Sequence, residues 1–135
     1  MDIEHSDKNG NTGFMTACNE GNEKLIKYLI KKKVDINKCN NKLENGLILA
    51  CANNYLQVVK MLINQKIDVE HEDVNGNTVF NIACNNNYTD IIEYLVQQGV
   101  DIDHENKYGN SGFTFACYYN NIDIIKLLLS KDVYT

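Results

Sequence analysis

Five cysteines and three histidines are the side chains of this sequence best suited to metal or redox chemistry. Four cysteines recur every 33 residues, each after an alanine: Cys18, Cys51, Cys84 and Cys117. Zinc needs ligands converging at about 2.3 Å, often from a Cys-x-x-Cys pair, which this sequence lacks. A disulfide needs Cα atoms within about 7 Å, whereas packed helices lie about 8–10 Å apart. We therefore interpret the recurring thiols as small core residues, and we expect Cys39 to be the exposed, oxidisable one.

The histidines recur in the same frame, and carboxylates flank them. The residues concerned are His5, His71 and His104, with Glu4, Glu70, Glu72, Asp103 and Glu105. Such a stripe could bind a metal ion weakly or respond to pH, but we favour solvated loop residues. A Gly-rich phosphate loop and a Ser-His-Asp grouping are both missing from the sequence. The sequence therefore predicts no catalytic residues, no cofactor and no metal site, and the chain is not expected to be an enzyme.

Charge and hydropathy narrow the classes of partner and compartment. The net charge is −5, and the lysines are scattered through the chain. This distribution does not favour nucleic acid as a partner. No apolar run approaches the roughly 18 residues that a membrane span needs, and residues 1–4 are acidic, unlike the start of a signal peptide. We expect an intracellular protein, without membrane contact, whose thiols are reduced.

The 33-residue interval predicts how the chain is organised. The predicted units are 7–39, 40–72, 73–105 and a truncated 106–135, with 1–6 as the end of a preceding incomplete repeat. Because the chain begins partway through a repeat, at residues 1–6, and the last unit stops early, we expect either a longer array or end-to-end self-association through the bare ends.

The third unit shows the pattern of a single repeat most clearly. Residues 73–77 have turn chemistry, and Thr78 is placed to cap a first helix. A second helix is predicted from about residue 89 to 98, with Gly99 at its C-terminal cap. Residues 100–103 alternate apolar and polar side chains, which predicts one side of a hairpin.

Two short helices carry a wider apolar stripe than one unit can bury, so stacking of like units creates the core. The predicted fold is an all-α repeat solenoid.

These residues resemble the ankyrin repeat, which has the same period and opens its first helix with Thr-Pro-Leu-His-x-Ala. The matching stretches are 12–17, 45–50, 78–83 and 111–116, and the second helices resemble the family's Val-Val-x-x-Leu-Leu pattern. The Pro and His are missing in every unit, which predicts a looser array. The abundance of Asn, Lys, Ile and Tyr, without Pro, is similar to ankyrin proteins of AT-rich genomes, including those of giant viruses.

The resemblance implies stacked helix-turn-helix repeats joined by β-hairpin-like loops. It also implies a non-enzymatic module or scaffold that binds a protein partner through its concave face. The alternative is a substrate-recruiting arm of a larger protein, such as a ubiquitin-ligase adaptor or a host-modulating viral protein.

Candidate partner-binding residues lie at the predicted hairpin tips and on the first helices. They are Lys42, Asn53, Val74, Asn75, Asn77, Asn85, Asn86, Lys107, Tyr108, Asn110, Tyr118 and Tyr119. The three tyrosines are the predicted anchor, because Tyr is over-represented among binding hot spots. The alternative is that one or two of these rings only cover neighbouring turns.

Two further positions carry expectations. Leu43 stands where the other units have Gly10, Gly76 and Gly109, so we expect a distorted tip in the second unit. Asn37 lies in a segment similar to ankyrin loops that an asparaginyl hydroxylase modifies, but we favour a structural role for it.

Overall fold

A computed structural model describes residues 1–132, with side chains to residue 131, and this part of the chain contains eight helices. The first helix of each unit is α1 (Gly13–Glu20), α3 (Gly46–Ala52), α5 (Val79–Asn85) or α7 (Gly112–Tyr118). The second is α2 (Glu23–Lys31), α4 (Leu56–Asn64), α6 (Thr89–Gln97) or α8 (Ile122–Asp132). None of the described helices is both long and apolar enough to cross a membrane.

Short polar residues fix where the first helices begin and end. The N-caps accept a bond from the backbone amide three residues later, and they are Thr12, Asn45, Thr78 and Ser111. This confirms the predicted cap at Thr78. Residues with positive φ follow the first helices: Gly21, Asn54, Asn87 and Asn120. Gly99, with φ 77°, lies just beyond α6 as the sequence predicted, although α6 ends at Gln97.

The four first helices pack in a row, and the second helices pack against them. Leu47 and Phe80 are 1% and 0% exposed, and both belong to the hydrophobic core of the stack. Glycine permits the closest approach, because a Cβ added at Gly112 would lie 2.3 Å from Phe80 Cε2. The predicted all-α repeat solenoid is confirmed.

The prediction that all four recurring thiols are core residues is wrong for one of them. Cys18, Cys51 and Cys84 are buried, whereas Cys117 is exposed. The reason is its position on α7, over which no further helical unit packs in residues 1–132. Cys39 is only half-buried, so it is not the exposed thiol that the sequence suggested.

The connecting loops have hairpin-like tips, as predicted, but they lack the extended strands of a regular β-hairpin. Within residues 1–132 the pairing of Ser6 with Thr12 is an isolated bridge, and no strand forms. Residues 102 and 103 form a turn in which the Asp101 carboxylate accepts the Asp103 amide at 3.0 Å, so residues 100–103 do not form a strand. The prediction of a hairpin side there was wrong, because the aspartate offers its backbone a local bond.

The tip of the second unit is not distorted either. Leu43 adopts φ 58° and its amide donates to Asn40 O at 2.9 Å, as Gly10 donates to Asp7 O at 2.9 Å. The Asn40 side chain fixes the turn, because its Oδ1 accepts the Lys42 and Glu44 amides at 3.0 and 2.9 Å.

Candidate functional site

The four turns form a continuous row, which we call the tip ridge (residues 7–11, 40–44, 73–77 and 106–110). In each case the second residue of a turn donates its amide to the third residue of the preceding turn. The bonds are Asn41 N to Asn9 O at 2.9 Å, Val74 N to Lys42 O at 3.0 Å and Lys107 N to Asn75 O at 2.9 Å. The ridge is therefore held rigidly along its length.

Asparagine side chains tie the base of the ridge together. Asn40 Nδ2 donates to Asn11 Oδ1 at 3.0 Å, and Asn106 Nδ2 donates to Asn77 Oδ1 at 2.9 Å. Asn77 and Asn110, both predicted to contact a partner, are only half-buried, and Asn77 has one oxygen in this framework. The Asn77 side chain and the Asn110 backbone amide, which donates to Asn106 Oδ1 at 3.0 Å, thus belong to the scaffold that supports the exposed residues.

The tyrosines of the fourth unit divide into two kinds. Tyr108 and Tyr118 are 73% and 82% exposed. Tyr119 is 41% exposed and its hydroxyl donates to Asn85 O on the preceding unit. The Tyr118 and Tyr119 rings pack edge to face with centroids 5.1 Å apart, and the Tyr108 hydroxyl lies 3.3 Å from Asn75 Oδ1. The alternative reading, that a ring covers a neighbouring turn, thus describes Tyr119 well.

The remaining predicted contact residues are exposed and accompany these rings on the tip ridge and the ends of the first helices. They are Lys42, Asn53, Val74, Asn75, Asn85, Asn86 and Lys107. Asn53 Nδ2 also donates to Asn19 Oδ1 at 2.9 Å, which links adjacent units. Leu43, which is 45% exposed on the tip ridge, was not among the predicted contact residues. The sequence analysis considered only the backbone conformation of this residue in the turn, not the exposure of its side chain.

Two clefts on this side are smaller than a typical small-molecule site. They lie between the first two units, share Asn11, Asn40 and Glu44, and measure about 120 and 220 Å³. Drug-sized ligands occupy pockets of about 300–1,000 Å³. These two clefts therefore suit single side chains of a larger partner.

A family model described as "Ankyrin repeats (3 copies)" matches residues 1–73 and 47–135. The chain belongs to the ankyrin-repeat family. Ankyrin repeats are in general non-enzymatic modules that bind other proteins. No curated protein matches the chain.

In the third unit an asparagine takes the place of the histidine that the ankyrin pattern has in its first helix. Asn81 stands at the position of the family's His. Its Oδ1 accepts the Thr78 amide at 3.0 Å, and its Nδ2 donates to His104 O at 3.1 Å. The third unit therefore keeps a tie between its first helix and the following loop, while the predicted looseness of the whole array stays a prediction.

Two of the recurring histidines hold the ankyrin turns and are not simply solvated. His71 Nε2 lies 2.6 Å from Leu43 O, and His104 Nε2 lies 2.9 Å from Gly76 O. Because a carbonyl only accepts, each Nε2 is the donor. The prediction of solvated residues was wrong for these two side chains, whereas His5 is exposed. Among the described residues, no group of three or more His, Cys, Asp or Glu side chains could hold a metal ion.

Asn37 contributes to a periodic bond between units. Its Oδ1 accepts the Asp68 amide at 3.2 Å, just as Glu70 Oε2 accepts the Asp101 amide at 2.9 Å one unit later. This bond gives Asn37 a structural role in the ankyrin stack, in line with the interpretation favoured from the sequence.

Proposed function

We propose that this ankyrin-repeat chain binds a protein partner through the concave side formed by the tip ridge and the ends of the first helices. Tyr108 and Tyr118 serve as the anchors. The observation that carries the proposal is their exposure of 73% and 82%, which leaves most of each ring available to a partner. The third unit has Asn75 and Asn85 at the equivalent positions, so the large rings are confined to one end of the surface.

The surroundings of the two tyrosines support this role. Neighbouring side chains position both rings, because the Tyr108 hydroxyl bonds Asn75 and Tyr118 packs on Tyr119. A positioned ring loses less conformational entropy on binding than a free one, and it offers apolar area together with a hydroxyl.

The test is affinity purification with mass spectrometry, comparing the wild-type chain with the double variant Tyr108→Ala/Tyr118→Ala. Truncating a hot-spot ring costs about 2 kcal/mol or more of binding free energy, so we expect each of the two substitutions to lower the affinity for the partner about 30-fold. Tyr119 is left intact because its bond to Asn85 belongs to the fold.

Tyr28→Ala is the matched control. Tyr28 is 55% exposed, but it lies on α2, where it packs against Lys32 rather than on the proposed surface. We expect this variant to retain the partner. Equal recovery of the partner by the folded double variant, with circular dichroism showing intact helices, would refute the assignment of the anchors.

Other uses of this surface are proposals of the same kind. A substrate-recruiting arm of a larger protein would engage its substrate through the same tyrosines.

The five free cysteines suit a reducing, intracellular compartment. End-to-end self-association or continuation into a longer array stays a prediction, and the exposure of Phe113 and Leu129, 41% and 48%, is consistent with either.

A further inference from the structure

Leu43 is a large apolar residue where the fold favours glycine. Its φ of 58° is close to those of Gly10, Gly76 and Gly109, which are 82°, 76° and 77°. A left-handed conformation is unfavourable for a residue with a Cβ. Leu43 is nevertheless 45% exposed, so burial in the free chain explains only part of its presence.

The repeat register places Leu43 beside a second exposed apolar residue. A Cβ added at Gly10 would lie 2.9 Å from Asn41 N, and one added at Gly76 would lie 3.0 Å from Lys107 N. The fourth turn residue therefore faces the second residue of the next turn. In the second unit this register sets Leu43 against Val74, which is 40% exposed.

The backbone around this pair is fixed before any partner arrives. Leu43 donates to Asn40 O at 2.9 Å, its carbonyl lies 2.6 Å from His71 Nε2, and Val74 donates to Lys42 O at 3.0 Å. A pair held in this way can receive a partner's side chain without a further cost of ordering the loop.

Charge indicates the chemistry of the segment that would cover the pair. No Lys or Arg occurs from residue 67 to 106. The exposed carboxylates of the two loops that lead into the third and fourth turns are Asp68, Glu70, Glu72, Asp101, Asp103 and Glu105. Glu72 connects this acidic edge to the ridge, because its Oε1 lies 3.8 Å from His104 Nε2, which bonds Gly76 O. Lys42 and Lys107 are exposed on the ridge itself, so a cationic segment would run along the loop edge and not along the tips.

We propose that Leu43 and Val74 receive an apolar side chain of a protein segment whose neighbouring residues are Lys or Arg. The apolar side chain covers the pair, and the basic residues lie over the acidic edge. This inference rests on the proposed function, and it adds the partner's chemistry and a second anchor between the second and third units, whereas Tyr108 lies in the fourth.

The test begins with a phage-displayed library of random 12-residue peptides selected on the folded chain. We expect enriched peptides to combine an apolar residue with Lys or Arg neighbours, and their binding to weaken with rising salt. Fluorescence anisotropy with one synthetic peptide should then show about a tenfold or greater loss of affinity for Leu43→Gly. The same variant should melt about 2–4 °C higher than the wild type, because its backbone is relieved of a left-handed leucine.

Lys66→Gly is the matched control. Lys66 has φ 61° but follows α4, away from the tip ridge, so its replacement should also raise the melting temperature while leaving peptide affinity unchanged. A structural role for Leu43 alone would give the two variants the same affinity.

The outcomes separate the two proposals. Peptides without basic residues, no enriched peptide at all, or affinity unchanged by Leu43→Gly would overturn this inference. If Tyr108→Ala/Tyr118→Ala abolishes binding of the natural partner while Leu43→Gly has no effect on peptide or partner, the proposed function stands and only this inference fails. If Leu43→Gly abolishes binding of the partner while Tyr108→Ala/Tyr118→Ala leaves it unchanged, this inference stands and the assignment of the tyrosines as anchors fails.

Discussion

Burial makes three of the five thiols poor acids. It raises the pKa of Cys18 from 9.0 to about 12 and that of Cys84 to about 12. The pKa of Cys51 is raised as well, first by burial and then by the nearby Cys84. The thiolate is the reactive form, so these three residues are protected both sterically and chemically. Cys117 has the same place in the repeat but is exposed.

We expect the stability of the chain to fall above about pH 9. The unfolded state, with thiols at their ordinary pKa, ionises first, so the stabilisation is complete below pH 9 and is lost as the pH rises towards the folded value of about 12. Each buried thiol contributes a slope of about 1.4 kcal/mol per pH unit in this window. Urea unfolding between pH 8 and 10.5 measures it.

Cys84→Ala should flatten the alkaline slope, because it removes one thiol whose pKa burial raises. Iodoacetamide at pH 8 should modify Cys117 in the native chain and reach Cys18 only on unfolding. Rapid native modification of Cys18 would contradict the buried environment described above.

Sequence reasoning grouped the four recurring cysteines correctly but could not separate their environments. The interval of 33 residues predicts equivalent places in the repeat, and equivalence implies equal burial only where the next unit is present. The same limit applies to Tyr119. Its residue type marked it as a hot-spot candidate, but its bond to Asn85 O depends on the distance between two units.

The helix ends show how one structural requirement is met by different residues. The residue after the C-cap of the second helix has positive φ in each of the first three units. The φ values are 63° for Lys33 after α2, 61° for Lys66 after α4 and 77° for Gly99 after α6. The left-handed residue lets the chain reverse, because Val34 N then donates to Leu29 O at 3.4 Å and Ile67 N to Leu62 O at 3.4 Å. Glycine meets this requirement without a steric penalty.

Lys33→Gly should therefore raise the free energy of unfolding by about 0.5–1 kcal/mol, and Gly99→Ala should lower it by about 1 kcal/mol. An Ala Cβ at position 99 meets no atom within 4 Å, so its cost is conformational alone. Urea titration at pH 7 gives both values, and a destabilised Lys33→Gly variant would show that the lysine side chain contributes more than its backbone costs.

At this scale the sequence predicted the capping residue Thr78 and the glycine after α6, because both are local rules. It failed at Leu43 for a physical reason. The prediction considered the φ preference of the fourth turn residue, but the first residue controls the turn, since Asn40 Oδ1 accepts two amides. Several such bonds together hold an unfavourable residue in place.

Across the whole molecule, burial comes from neighbours rather than from residue type. Phe14 and Phe80 are 3% and 0% exposed, whereas Phe113, at the equivalent position of α7, is 41% exposed. The 33-residue period was sufficient to predict the stack. It could not predict which surfaces a partner would occupy, because recognition depends on residues that depart from the repeat, such as Leu43, Tyr108 and Tyr118.

The glycines that begin the first helices provide the sharpest test of the stack. A Cβ added at Gly13 meets nothing within 4 Å, whereas one added at Gly112 lies 2.3 Å from Phe80 Cε2 and 3.1 Å from Cys84 Sγ. Gly13→Ala should be neutral or raise the free energy of unfolding by up to about 0.5 kcal/mol, because Ala favours helix. Gly112→Ala should lower it by about 1–3 kcal/mol through overpacking. Combining Gly112→Ala with Phe80→Leu, which removes the clashing ring, should recover part of that loss, and strictly additive effects in urea titrations would mean that the two units do not interlock there.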